Sequence, residues 1–68
     1  MIFLTHRDGR SFALNPELIE RIESMPDTMI VLRDGKRYLV LEPMKDVIER
    51  IMQYRRRLAR GMDFETHS

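Results

Sequence analysis

Few side chains in this sequence could carry out chemistry. Its two histidines, His6 and His67, lie at opposite ends of the chain, and neither has a second ligand at a metal-site spacing such as His-x₃-His. Cysteine is absent, so the chain has no thiolate ligand and no thiol nucleophile. We therefore expect no metal site and no cofactor, and we interpret His6 as an exposed ring at the end of a strand.

The acidic and hydroxyl side chains form no catalytic pattern either. Glu17, Glu20 and Glu23 recur every three residues, which indicates a solvated face. Asp8 and Asp34 each precede a glycine and fit a turn. No serine or threonine stands in a nucleophile-elbow motif, and the glycines fit turns or a helix end rather than a phosphate-binding loop. Because a chain of 68 residues also has little interior for a substrate cavity, we expect that the protein is not an enzyme.

The most conspicuous charged feature is a basic segment near the C-terminus. Residues 50–60 contain five arginines and no acidic residue, although the net charge of the whole chain is only +1. Arginine forms bidentate contacts with carboxylate and phosphate groups, so this segment could bind an acidic protein, an anionic lipid surface or nucleic acid. A solvated helix end is the alternative, and the residues do not choose among these. The candidate partner-binding residues are Arg55, Arg56, Arg57 and Arg60.

An internal repeat indicates how the first part of the chain folds. Residues 4–14 align without gaps on residues 30–40, and each copy is an apolar run, an Arg-Asp-Gly-basic turn and a second apolar run. Asp-Gly between two such runs is a strong hairpin signal, and a type I′ turn would give both turn residues a positive φ. We therefore predict two β-hairpins, with strands near residues 2–6 and 11–15 and near residues 28–33 and 36–41.

A second repeated phrase, Ile-Glu-Arg-Ile, follows each hairpin and its proline. The later copy lies in an uninterrupted stretch that begins at Pro43 and has arginines in its last turns, so it predicts an α-helix over residues 43–60. The earlier copy lies between Pro16 and Pro26, where residues 18–24 could form a short helix or a strand that links the two hairpins. The strand is the preferred interpretation, because it would tie the hairpins into one sheet.

The predicted helix has a wider apolar stripe than one small sheet can cover. Apolar or amphipathic side chains, methionines among them, recur along it at three- and four-residue spacing. A chain of this size lies near the lower limit for an independent core, and a second chain could also cover the edge strands of a small sheet. We therefore predict a homo-oligomer, either a dimer or a tetramer. The candidate interface residues are Met44, Ile48, Ile51, Met52 and Leu58.

These elements together predict an α+β fold. It consists of a small antiparallel sheet of about five strands, curved into a half-barrel or SH3-like shape, with the C-terminal α-helix across it. Residues 1–60 form one domain in this interpretation, and residues 61–68 form a flexible tail. No apolar run approaches the roughly 20 residues needed to cross a bilayer, and the first residues lack the pattern of a signal peptide. We therefore expect a cytoplasmic protein.

With these elements placed, the chain resembles the FlbD family of flagellar proteins, also called the SwrD swarming motility proteins. The similarity covers about residues 1–58 and lies in the order of several short motifs rather than in any one of them. The motifs are MIFLT (1–5), GRSFALN (9–15), LIERIE (18–23), PDT (26–28), DGKRYLV (34–40), VIERI (47–51) and YRRR (54–57).

The resemblance implies a small bacterial cytoplasmic protein that supports swarming motility by promoting the power of the flagellar motor through its stator units. It implies no catalytic residues and does not say which surface contacts the motor. The implied partners are motor or stator proteins at the cytoplasmic face of the membrane near the flagellar basal body, and a peripheral contact with anionic membrane stays open. The alternative is a nucleic-acid-binding regulator of flagellar gene expression that uses the basic helix, although no predicted strand has paired exposed aromatic residues for stacking on bases.

Overall fold

Two β-hairpins and one α-helix form the framework of the fold, which is α+β as predicted. The computed structural model describes residues 1–61, so the predicted tail at 61–68 lies, apart from Gly61, outside the described residues. The elements are β1 (Ile2–Thr5), β2 (Ser11–Leu14), a 3-10 turn (Pro16–Leu18), β3 (Ile19–Glu23), β4 (Thr28–Leu32), β5 (Arg37–Val40) and α1 (Met44–Ala59). Each strand and the helix lie within two residues of the predicted positions.

Both hairpins close through a three-residue loop rather than the predicted two-residue turn. In the first hairpin the Gly9 N–H donates to the His6 carbonyl at 2.9 Å, and the His6 N–H donates to the Arg10 carbonyl at 2.7 Å. Within residues 1–61 only glycines have a positive φ, which is +97° at Gly9, so the type I′ prediction is wrong. The Asp8 carboxylate explains the difference, because it accepts the Arg10 N–H at 3.1 Å and closes the loop with aspartate at negative φ. The loop at residues 33–35 repeats this pattern.

The described strands form two small antiparallel sheets rather than the single sheet of about five strands that was predicted. One sheet pairs β1 with β2, and the other has the order β3-β4-β5. The prediction of a strand at residues 18–24 is confirmed, but β3 pairs with β4 and does not tie the two hairpins together. Within residues 1–61 the two sheets share main-chain contacts at one corner, where His6 bridges to Val40 and the Leu41 N–H donates to the Thr5 carbonyl at 3.0 Å.

The first Ile-Glu-Arg-Ile copy forms β3 with one bulged residue. Between Ile19 and Arg21 the pairing with β4 shifts by one residue, which leaves Glu20 as the extra one. In a regular strand Ile19 and Ile22 would face opposite sides of the sheet, whereas the bulge turns both toward the core. The same four residues at 48–51 are helical, so the surroundings decide the structure of this tetrapeptide.

The core lies between the two sheets and the helix, and α1 packs chiefly against β1. The helix ends at the predicted place, because Gly61 follows it with a φ of +70°. No helix within residues 1–61 has both the length and the apolar character needed to cross a bilayer. The buried core side chains are Ile2, Leu4, Leu14, Ile30, Leu32, Val40, Val47 and Tyr54.

Candidate functional site

A cluster of polar groups fixes the helix that carries the candidate site residues to β1. The backbone bonds of the first hairpin alternate along β1, so the backbone groups of Phe3 and Thr5 face away from β2. The Thr5 N–H donates to Glu42 Oε1 at 3.0 Å, and the Thr5 hydroxyl donates to Oε2 at 2.8 Å. Arg50 Nη1 donates to the Phe3 carbonyl at 2.7 Å and to Glu42 Oε2 at 3.2 Å. Glu42 and Arg50 thus satisfy the free edge of β1 as a neighbouring strand would.

The Glu42 carboxylate keeps its charge although its side chain is only 11% exposed. Burial is the largest single influence on its pKa and raises it, but the hydrogen bonds from Thr5 and Arg50 together hold the pKa below its ordinary value. A charged carboxylate therefore anchors the start of the helix at neutral pH.

The four candidate arginines lie at the C-terminal end of α1, with Arg60 at the C-cap. Arg56 pairs with Glu49 at 3.3 Å, and both side chains are at least half exposed. Arg57 is half-buried, whereas Arg55 and Arg60 are exposed. Successive residues are about 100° apart around a helix, so the three consecutive arginines point to different sides. The structure therefore brings these side chains to one end of the helix but not onto one flat surface.

The five candidate interface residues divide into two groups. Ile51 packs against the core of its own chain and Met44 is half-buried. Ile48 and Met52 are 45% and 48% exposed and lie one turn apart on the same side of the helix, and we call these two residues the helix flank. Leu58 is 43% exposed but lies about 120° around the helix from Met52, so it is not part of this flank. Large apolar side chains that remain exposed along one helix are typical of a surface that a partner covers.

A shallow groove lies near the corner at which the two sheets meet. Its volume is about 340 Å³. The His6 ring stacks on the Phe12 ring with 3.9 Å between centroids, and the Tyr38 ring lies 5.9 Å from His6 and 5.5 Å from Phe12. The lining thus includes the His6 and Tyr38 rings, three arginines and the Asp8 carboxylate, while Phe12 is not among the lining residues. The lining residues of the groove are His6, Arg7, Asp8, Arg10, Arg37, Tyr38 and Leu39.

Sequence reasoning missed the groove and the polar cluster for different reasons. The prediction of an exposed ring at His6 is wrong, because the ring is half-buried against Phe12. The period of two from Leu4 to His6 could have placed His6 on the inward face of β1. Glu42 gave no such signal, because the residue it binds lies 37 positions away in the chain. Among residues 1–61, no three His, Asp or Glu side chains come together in a way that could hold a metal ion.

Comparison with known proteins identifies a family whose model matches this chain. The FlbD family model, described as flagellar and swarming motility proteins, matches residues 1–59. Neither the comparison with curated proteins nor the comparison with solved structures gives a significant match. The matched range contains both hairpins, all of α1 and the polar cluster that joins them, while Arg60 lies just beyond it.

Proposed function

Because the chain belongs to the FlbD family of flagellar and swarming motility proteins, we propose that it is a non-enzymatic accessory protein of the flagellar motor. In this role it binds motor or stator proteins and so promotes motor power during swarming. It acts in the cytoplasm, at the face of the membrane near the basal body. It carries out no reaction, and its activity consists of binding.

The arginine-bearing end of α1 is the observation that supports this proposal most strongly. Arg55, Arg56, Arg57 and Arg60 surround the helix terminus, and Arg57 is only half-exposed. Such a ring of cations fits an acidic loop that wraps around the terminus better than it fits a flat lipid surface. The bond from Arg50 to β1 holds the helix in a fixed orientation, so that its end can present the arginines without reordering.

We further propose that the helix flank joins two copies of the chain. Ile48 and Met52 are both more than two-fifths exposed, which is costly for apolar side chains of an isolated small domain. In a symmetric dimer the same flank from each copy would meet. Such a pairing would place two arginine-bearing helix ends on one assembly, which raises the effective concentration of the second contact.

A tagged pull-down from swarming cells tests the proposed function. We expect motor or stator proteins to co-purify with the tagged chain, in equal amounts with and without nuclease treatment. The tag alone serves as the control for adsorption. A partner that disappears after nuclease treatment would contradict the proposal. Retardation of nucleic acid by the purified chain, weakening steeply with salt, would instead favour a regulator of flagellar gene expression.

A further inference from the structure

The outward face of the sheets is more apolar than a solvated sheet face. Even-numbered residues of β4 and β5 face the core, so odd-numbered residues face outward. In β4 the outward residues Met29 and Val31 are both apolar, and Val31 is buried without belonging to the core cluster. In β5 the outward residues are Arg37 and Leu39, and Leu41 follows the strand. A solvated face of an antiparallel sheet carries polar residues at such positions, so this pattern is typical of a face that is covered.

β1 extends the apolar part of this outward face. The Leu41 N–H donates to the Thr5 carbonyl, and the bridge one residue earlier in β5 confirms that Leu41 lies opposite Thr5. Phe3 is two residues from Thr5 in β1, so it lies on the same face and diagonally across from Leu41. The residue opposite Phe3 in β2 is Ala13, which is too small to cover an aromatic ring. Phe3 therefore remains 68% exposed.

Phe3, Leu41, Leu39 and Met29 thus form a diagonal stripe across the outward face, and we call these four residues the outer stripe. Leu39 lies two residues from Leu41 in the chain and directly opposite Met29 in β4. Leu41 is 58% exposed, and Leu39 and Met29 are half-buried. Exposed apolar side chains that lie next to one another mark a surface that another molecule covers.

The charged side chains beside the outer stripe carry both signs. Arg7 pairs with Asp27 at 3.0 Å, and Arg21 pairs with Glu23 at 2.8 Å. Arg21 and, more weakly, Arg37 lower the pKa of Glu23, so Arg37 also lies near this carboxylate. Nucleic acid and anionic lipid both require an excess of cations, which such pairs do not provide. A second copy of the chain presents the same mixture of signs, so that arginines of one copy can face carboxylates of the other.

From this geometry we infer that the outer stripe joins two copies of the chain face to face. The two outward faces then form the layers of a sandwich, with the same stripe contributed by each copy. A chain of 68 residues has a small core of its own and gains stability from such a contact. The contact does not rest on the proposed motor function.

The outer stripe and the helix flank are different surfaces. The flank residues Ile48 and Met52 lie on α1, which packs on the core side of the sheets, whereas the stripe lies on the outward side. A chain that uses both contacts has two kinds of two-fold interface, which builds a tetramer. The stripe alone builds a dimer, so the two contacts can be tested separately.

Sedimentation equilibrium of M52K and of two double variants, at tens of micromolar, tests the inference. M52K disrupts the helix flank, so we expect it to sediment at twice the monomer mass of 8.2 kDa through the outer stripe. M52K/L41K should weaken this dimer at least tenfold, because it places a charge in the stripe. M52K/M25K is the matched control and should remain a dimer, since Met25 is 88% exposed but lies outside the stripe. Circular dichroism of the three variants verifies that each is folded.

The outcomes separate this inference from the proposed contact at the helix flank. A monomeric M52K variant would overturn the inference and leave the stripe to a different protein. Association of M52K/L41K that equals that of M52K/M25K would overturn it as well. If M52K sediments at the mass of the unaltered chain, the helix flank has no role, and the comparison of the double variants still decides the role of the stripe.

A fluorescent probe tests the burial of the outer stripe directly. The chain has no cysteine, so a bimane dye can be attached to a single site in L41C or, as the control, in M25C. We expect the emission of the L41C conjugate to shift to the blue as its concentration rises to tens of micromolar, while the M25C conjugate does not shift. Equal behaviour of the two conjugates would overturn the inference. Neither experiment depends on whether the chain acts on the motor.

Discussion

At the scale of single residues, Glu42 decides how the helix meets the first hairpin. Its carboxylate accepts hydrogen bonds from the Thr5 N–H, the Thr5 hydroxyl and the Arg50 guanidinium. These donors come from an edge strand and from α1, so one side chain joins two elements that have few other polar contacts. Removal of Glu42 would leave the partly buried Thr5 N–H without its partner, which costs more than the loss of an average hydrogen bond.

We predict that E42A lowers the free energy of unfolding by about 2–3 kcal/mol. The matched control is E49A, because the Glu49 carboxylate also pairs with an arginine but is 60% exposed. This control should cost less than about 0.5 kcal/mol. Urea unfolding followed by circular dichroism measures both variants. Similar losses for E42A and E49A would show that the cluster around Glu42 does not hold the helix in place.

The lowered pKa of Glu42 predicts how stability depends on pH. Its contribution is fully present above the unfolded pKa, near 4.5, and is lost as the pH falls through the lower folded pKa. The difference in unfolding free energy between the unaltered chain and E42Q should therefore shrink from pH 6 to pH 3. Asp8 and Glu23 also have lowered pKa values, but they are present in both proteins and cancel in this difference. A difference that stays constant over this range would contradict the prediction.

At the scale of elements, the two loops show which local features the sequence predicts well. Asp-Gly between apolar runs predicted the positions of both hairpins, and Pro43 and Gly61 predicted where the helix begins and ends. These predictions succeeded because each depends only on residues that are close together in the sequence. The type I′ geometry was wrong, since the pattern does not show that the Asp8 carboxylate binds the Arg10 N–H. The bulge at Glu20 was also not predictable from the local sequence. It forms because Ile19 and Ile22 must both face the core, and this requirement depends on residues elsewhere in the chain.

We predict that G35A lowers stability by about 1–2 kcal/mol through backbone strain alone. Gly35 has a φ of +91°, and an added Cβ would meet no atom within 4 Å, so no clash contributes. K36A, at the residue that follows the loop, is the control and should change stability by less than about 0.5 kcal/mol. Thermal unfolding of the two variants makes the comparison. An equal effect would mean that this loop does not require the left-handed conformation.

At the scale of the whole molecule, the sequence did not predict how the strands and the helix are arranged relative to one another, although it did predict the elements themselves. The spacing of the arginines and apolar residues in α1 was predicted, but the half-burial of Ile51 and Arg57 depends on how the helix lies on β1. The division into two sheets follows from the shortness of β1, which pairs with β5 only at its end. The groove is built from a loop and a strand more than 20 residues apart, so no local pattern could indicate it.

We predict that the chain sediments at two or four times its monomer mass of 8.2 kDa at tens of micromolar. M52K should weaken this association at least tenfold, because it places a charge in the helix flank. M25K is the matched control, since Met25 is 88% exposed but lies in the turn after β3. Sedimentation equilibrium distinguishes the variants. A monomer for the unaltered chain, or equal effects of M52K and M25K, would leave the helix flank without a role in self-association.

The most direct test of the motor role measures the torque of single flagellar motors in cells that carry the R55Q/R56Q/R57Q/R60Q variant. Exposed charges near a helix end contribute only about 0.3–1 kcal/mol each, so the variant should remain folded. A variant with lysine at the same four positions keeps the charge and serves as the control. We expect torque and swarming to fall to the level of a deletion strain with glutamine and to recover at least in part with lysine. Normal torque in the folded glutamine variant would contradict the proposal that these arginines bind the motor.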